Sequence, residues 1–326
     1  MAIHFRLAYI VRDAHLDGHV LTFRDPQAEL SLSLRERPRD EVGYKPNDVI
    51  CEVLYSPHIP SRLERESIET GTLSIKKKAV NDAYQKMYEL ISVTVRVVRW
   101  RQGGPSHHNP IRLFKSFDWS LDKAQWKRVS ETIKGRIRFS SAFSIWSSEL
   151  AASIEQLVLS NQTEPIGHEL FHEAEGLAET NPRSAIIVAV AAAEVGFKGF
   201  VAKLVPECNW LLLNVASPPL VNMLIEFLPT IPARQNFGDQ QPSVPTHIID
   251  ALKKAVTIRN ELVHGRSSTV GVETVLSILK ELRDFLYLLD FYSGAVWAVG
   301  NLSYETQKWI TSASVVSRPP KRVPSV

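Results

Sequence analysis

Residues 247–266 read HIIDALKKAVTIRNELVHGR. Ile248, Ile249, Leu252, Ala255, Val256, Leu262 and Val263 recur at the spacing that lays one apolar stripe along an α-helix. Gly265 stands where such a helix would stop. The final turns bring together Arg259, Asn260 and His264, which are a permanent cation, an amide and a titratable imidazole. Asn260 and His264 are four apart and share a face. Arg259 starts about 100° around the axis from Asn260, and its long side chain can swing toward either neighbour. A guanidinium grips phosphate oxygens through a planar fork. An imidazole exchanges protons near neutral pH. This set suits cleavage of a phosphodiester without metal. In RNA the 2′-hydroxyl is a built-in nucleophile, so the protein need only move a proton and neutralise charge on the phosphate.

A second stretch, PRSAIIVAVAAAEVGFK at 182–198, is an alanine-rich helical segment entered through Pro182 and carrying Glu194. A carboxylate on such a face needs a partner, and Arg259 or another cation of the motif region is the expected one. With Arg259, Asn260 and His264 following in order, these motifs resemble the HEPN superfamily, whose signature is R-x4–6-H. The resemblance covers residues 163–295. It implies a helical bundle acting as a metal-independent ribonuclease, with its site where two copies of the motif helix meet in a homodimer. Arg259, Asn260 and His264 would be catalytic, Glu194 supporting, and RNA the partner. No metal or cofactor is implied. Toxins and antiviral defence effectors of this kind often carry a second domain that senses a trigger, here a protein or nucleotide regulator. Other members of the superfamily only bind nucleotides, RNA or protein. Such a non-catalytic module is the alternative.

A competing motif is His168-Glu169-Leu170-Phe171-His172, which fits H-E-x-x-H. On a helix this spacing aims two imidazoles at one zinc, with the glutamate as base. Glu194, 22 residues beyond His172, is the third ligand that a zinc metalloprotease would need. The alanine-rich context of Glu194 favours the first reading over this one.

The rest of the chain sets the frame. With 326 residues, two domains are expected. Cys51 and Cys208 are the only cysteines, too far apart in the chain for a disulfide framework or a zinc knuckle. With no signal peptide in the first residues and no stretch expected to span a membrane, a cytoplasmic protein with no membrane partner follows. Residues 185–205 come nearest to a span, but Glu194, Lys198 and Lys203 interrupt them.

Residues 1–150 hold 24 lysines and arginines against 18 acids, and the remainder holds 14 against 17. The excess lies in 96–138, where Trp100, Trp119 and Trp126 stand among cations. Interleaved aromatics and cations can hold a single strand. Core tryptophans beneath a solvated charged face are the favoured reading.

Short apolar or alternating runs in 3–12, 18–24, 28–35 and 48–55 predict strands. Residues 77–91 predict a helix, and SVTVRVVRW at 92–100, dense in β-branched residues, predicts another strand. His107 and His108 fall in a Gly/Pro loop. Residues 118–160 predict two bridging helices, the first capped by Asp118 or Ser120. Further helices are expected at 164–180, 182–205, 217–228, 246–264 and 272–297. A proline-rich loop at 229–245 is placed to gate the site or meet a partner. The expected fold class is α+β: a mixed strand and helix regulatory domain over 1–115, a helical linker over 116–162, an all-α HEPN-like bundle over 163–300 and a loose tail over 301–326.

Overall fold

The computed structural model describes residues 3–11, 16, 19–25, 29–38, 48–57, 78–103, 111–129, 147–214, 219–237, 241–265 and 269–315. The chain divides into two compact units, Met1–Glu164 and Pro165–Val326.

The first unit is built on a six-stranded antiparallel sheet. Its strands are β1 (His4–Val11), β2 (Leu21–Asp25), β3 (Leu30–Glu36), β4 (Val49–Tyr55), β5 (Ile111–Ser120) and β6 (Lys127–Arg128), in the order β2-β3-β4-β1-β5-β6. The period-two pattern decides which side is buried. Phe5, Leu7, Tyr9 and Val11 pair with Tyr55, Val53, Cys51 and Val49. Leu30, Leu32 and Leu34 continue the same face. Helix α1 (Lys78–Gln102) covers it with Val80, Ala83, Met87, Ile91, Val95 and Val98. Helix α2 (Ser148–Leu159) adds Ile154 and Val158 to this core, and the Ser147 side chain caps its first turn by accepting from the Leu150 N–H at 3.1 Å.

Three expectations are corrected here. Residues 92–100 are the second half of α1, not a strand. Their β-branched side chains carry strand propensity, but the buried positions run 80, 83, 87, 91, 95 and 98, and that helical stripe packed on a sheet outweighs local preference. The first unit extends past residue 115, because β5 pairs with β1 and so carries the sheet through Ser120. Of the helical linker expected over 116–162, residues 116–128 are instead the end of β5, a turn and β6, whereas the second expected helix is present as α2; residues 130–146 lie outside the described residues. Asp118 and Ser120 cap no helix. Asp118 accepts from the Arg6 guanidinium at 3.1 Å, and the Ser120 hydroxyl accepts from the Lys123 N–H at 3.0 Å to close a turn.

Trp100 and Trp119 are buried, as the core reading expects. Trp126 lies under the Arg6 guanidinium at 4.4 Å. His107 and His108 fall outside the described residues. At the end of this unit the buried Glu164 carboxylate takes the Arg99 guanidinium of α1 in two hydrogen bonds, from Nε at 3.1 Å and from Nη2.

The second unit is helical. Helix α3 (Ile166–Leu177) and helix α4 (Pro182–Leu204) form a hairpin. Asn181 caps α4 by accepting from the Ser184 N–H at 3.2 Å, and Pro182 opens it. A 3-10 turn (Pro206–Cys208), a short helix (Asn209–Asn214) and a mixed helical stretch (Leu220–Thr230) follow. Helix α5 (Thr246–Val263), helix α6 (Val272–Tyr292) and helix α7 (Tyr304–Val315) complete the unit.

Helix α4 sits in the middle, packed on α3, α5 and α6. By length and apolar content alone it is able to cross a membrane, contrary to the sequence reading, but half of its apolar window is buried among those neighbours. The close approach of α3 to α4 depends on glycine. A Cβ on Gly167 would lie 2.8 Å from the Gly196 Cα, and one on Gly196 would lie 2.5 Å from a Leu286 methyl.

Helix α6 is apolar on more than one face, and most of it is buried. Residues Asp284–Tyr292 are buried without a break, and the Phe237 ring stacks on Phe291 at 4.2 Å. The proline-rich loop is therefore fastened to α6. Tyr292 donates its hydroxyl proton to the Ser243 carbonyl at 2.7 Å, and Arg234 N–H donates to the Tyr292 carbonyl at 2.8 Å. The first part of the expected tail forms α7: the buried Asp284 carboxylate accepts from the Ser303 N–H at 3.0 Å and the Thr306 hydroxyl at 2.5 Å, anchoring the start of that helix. Residues 316–326 lie outside the described residues.

Candidate functional site

The C-terminal turns of α5 carry Arg259, Asn260 and His264. The apolar stripe Ile248, Leu252 and Ala255 is buried, so the opposite edge of the helix faces outward. His264 closes the helix, its N–H donating to the Asn260 carbonyl at 3.0 Å. Gly265 follows with φ +68, the left-handed conformation that ends helices and that glycine adopts without strain. Its N–H donates to the Leu262 carbonyl at 3.2 Å. The stop signal in the sequence is thus realised where the imidazole sits.

The three polar groups differ in freedom. His264 and Asn260 are exposed. Arg259 is about one-third exposed, and its Nη2 donates to Glu194 Oε1 of α4 at 2.9 Å. The expected pairing of Glu194 with Arg259 is present. Nη2 of the guanidinium is engaged by the carboxylate, and a guanidinium has five N–H donors, so this bond does not exhaust them. The carboxylate therefore orients the cation without consuming it. Beside His264, Val263 is 59% exposed, an apolar side chain on the surface next to the candidate site.

The H-E-x-x-H residues lie elsewhere, on α3. His168 and His172 are both buried. The Nε2 of His168 meets Asp290 Oδ2 at 2.8 Å, and the ring lies against Tyr287 with centroids 4.7 Å apart. The Nδ1 of His172 meets Glu175 Oε2 at 3.0 Å. Glu194, the third ligand that the zinc reading needs, is bonded to Arg259 instead. Among the described residues no three histidine, cysteine or acidic side chains come together as a metal site. The spacing that suggests zinc is used here to place two imidazoles in the α3 core against carboxylates.

Sequence reasoning passed over Asp290 and Asp284. Each is an acid inside a helix that is apolar on several faces, and that conflict is the signal that could have found them. Lys203, near the end of α4, was read only as an interruption of an apolar run.

A scan against protein-family models, a search of curated proteins and a search of solved structures each gave no match. What the fold defines is an α+β protein: an antiparallel sheet unit followed by a helical unit, with a polar trio at the exposed end of one of its helices.

Proposed function

We propose that the protein is a metal-independent endoribonuclease of HEPN type, acting as a homodimer through α5. The observation that carries the reading is the Arg259–Glu194 pair on the same helix end that carries an exposed His264. It fixes a guanidinium within the last turns of a helix that closes on an accessible proton-transfer group. His264 takes the proton of a ribose 2′-hydroxyl, and the 2′-oxygen attacks the adjacent phosphorus. The bond from phosphorus to the 5′-oxygen breaks, and that oxygen receives a proton from the second copy of His264. Arg259 bears the growing charge on the non-bridging oxygens, and Asn260 orients the ribose or the imidazole. The products are a 2′,3′-cyclic phosphate and a 5′-hydroxyl. Two imidazoles in one cleft give the reaction its base and its acid, which is the chemical reason for a dimer. The first unit then serves as the sensor or regulator of a defence effector or toxin in the cytoplasm.

A second reading is favoured by the same ion pair. Glu194 and Arg259 also pin α4 to α5, so the trio would serve a non-catalytic module that binds RNA or a nucleotide.

Labelled single-stranded RNA incubated in EDTA separates the two. Wild type cleaves and His264→Ala loses at least about a hundredfold in rate if the proton transfer is as described. Retention of RNA by both proteins on a filter, with cleavage by neither, supports the binding module.

A further inference from the structure

We propose that the cavity between α3, α4 and α6 binds a small monocarboxylate with an apolar body. The cavity has a volume of about 210 Å³, room for about seven waters at ~30 Å³ each. That is below the range of drug-sized sites and fits a short chain or a single ring. Its walls are Ile166, Val195, Phe200, Leu286 and Leu289, which favour an apolar occupant over water.

Glycine keeps the space open. Gly199 lines it, and a Cβ placed there would meet nothing within 4 Å. A glycine inside a helix costs stability relative to alanine, and this one is not required by close packing or by a positive φ. Gly167 and Gly196, by contrast, are needed where α3 and α4 touch.

The polar groups decide the charge of the ligand. Asp290 lines the cavity, but its carboxylate is engaged by the His168 ring at 2.8 Å. Lys203 lies on the wall, is exposed, and makes no ion pair with another described residue. The first turn of α3 also borders the cavity, and Pro165 offers no side-chain cap to its N–H groups. Both features favour a negative head group. The site is separate from the motif. Val195 follows Glu194 on α4, so one helix presents the Arg259 clamp and the cavity wall on neighbouring faces.

The test titrates hexanoate, hexan-1-ol and hexylamine into the full chain by calorimetry, without RNA, so that its failure leaves the nuclease proposal standing. Wild type should bind hexanoate saturably at one site, with the alcohol and the amine at least tenfold weaker. Lys203→Met should bring hexanoate down to the level of the alcohol. Gly199→Leu should fill the space and abolish binding, with a melting temperature no lower than wild type. No saturable binding of hexanoate to wild type overturns the proposal. So does undiminished binding to Gly199→Leu, and equal binding of alcohol and carboxylate overturns the assignment of charge.

Discussion

Glu194 and Arg259 are each about one-third exposed, so water screens their attraction and the pair adds little to stability. Its value on the proposed mechanism lies in aiming the guanidinium. Glu194→Gln should therefore lower the RNA cleavage rate about tenfold while changing unfolding free energy by less than about 1 kcal/mol. Urea melts and rate measurements on the same preparation check both halves; a loss of stability with unchanged rate would make the pair structural. Tyr292 gives the opposite kind of residue, buried and structural. Burial pushes its phenol up from 10.0 to about 12, against the opposing hydrogen bonds with Ser243. A phenol that ionises less readily in the folded chain stabilises the fold below pH 10, and that contribution is lost as pH climbs from 10 to 12. Wild type should lose about 2–3 kcal/mol more than Tyr292→Phe across this interval, at ~1.4 kcal/mol per unit. Parallel urea titrations of the two proteins at pH 9 and pH 12 measure the difference.

At the scale of elements, the α3–α4 hairpin depends on a backbone approach that one methyl group would block. Gly167→Ala places a Cβ against the Gly196 backbone, which cannot swing aside. It should destabilise the protein by about 1–3 kcal/mol, the usual cost of overpacking. Gly176→Ala on the same helix, with nothing near its Cβ, should not. Thermal melts of the two variants decide it. Elements with strong end signals were legible in the sequence. Pro182 starts α4, Gly265 ends α5, and the apolar stripes between them set the buried faces. The first four strands were legible too, because turn residues separate their apolar runs. The second half of α1 was not. Val93, Val95, Val97 and Val98 read as a strand, since local propensity is blind to a sheet folded from distant residues that rewards a helical stripe. Ser120 was misread for a related reason: the same hydroxyl caps a helix or closes a turn, and only the pairing of β5 with β1 decides which.

At the scale of the whole molecule, the chain is two compact units, and the proposed function belongs to the second one joined to a second copy of itself. That Glu194 would pair with a cation of the motif region was legible, and the cation is Arg259. The position of the unit boundary was not, because the apolar–polar alternation of β5 slips phase at Phe114–Ser116, where its register against β1 also shifts. The proposed dimer has its own handle in Val263, 59% exposed and adjacent to His264 in sequence. Val263→Asp should leave the melting temperature within about 2 °C of wild type, as a surface substitution does. It should convert a dimer to a monomer in light scattering and lose cleavage with it. The chemistry of the RNA ends left in EDTA tests the proposed cleavage most directly. Wild type should leave fragments with 2′,3′-cyclic phosphate and 5′-hydroxyl ends, and His264→Ala should leave the RNA intact. Fragments with 5′-phosphate ends, or equal cleavage by both proteins, would contradict it.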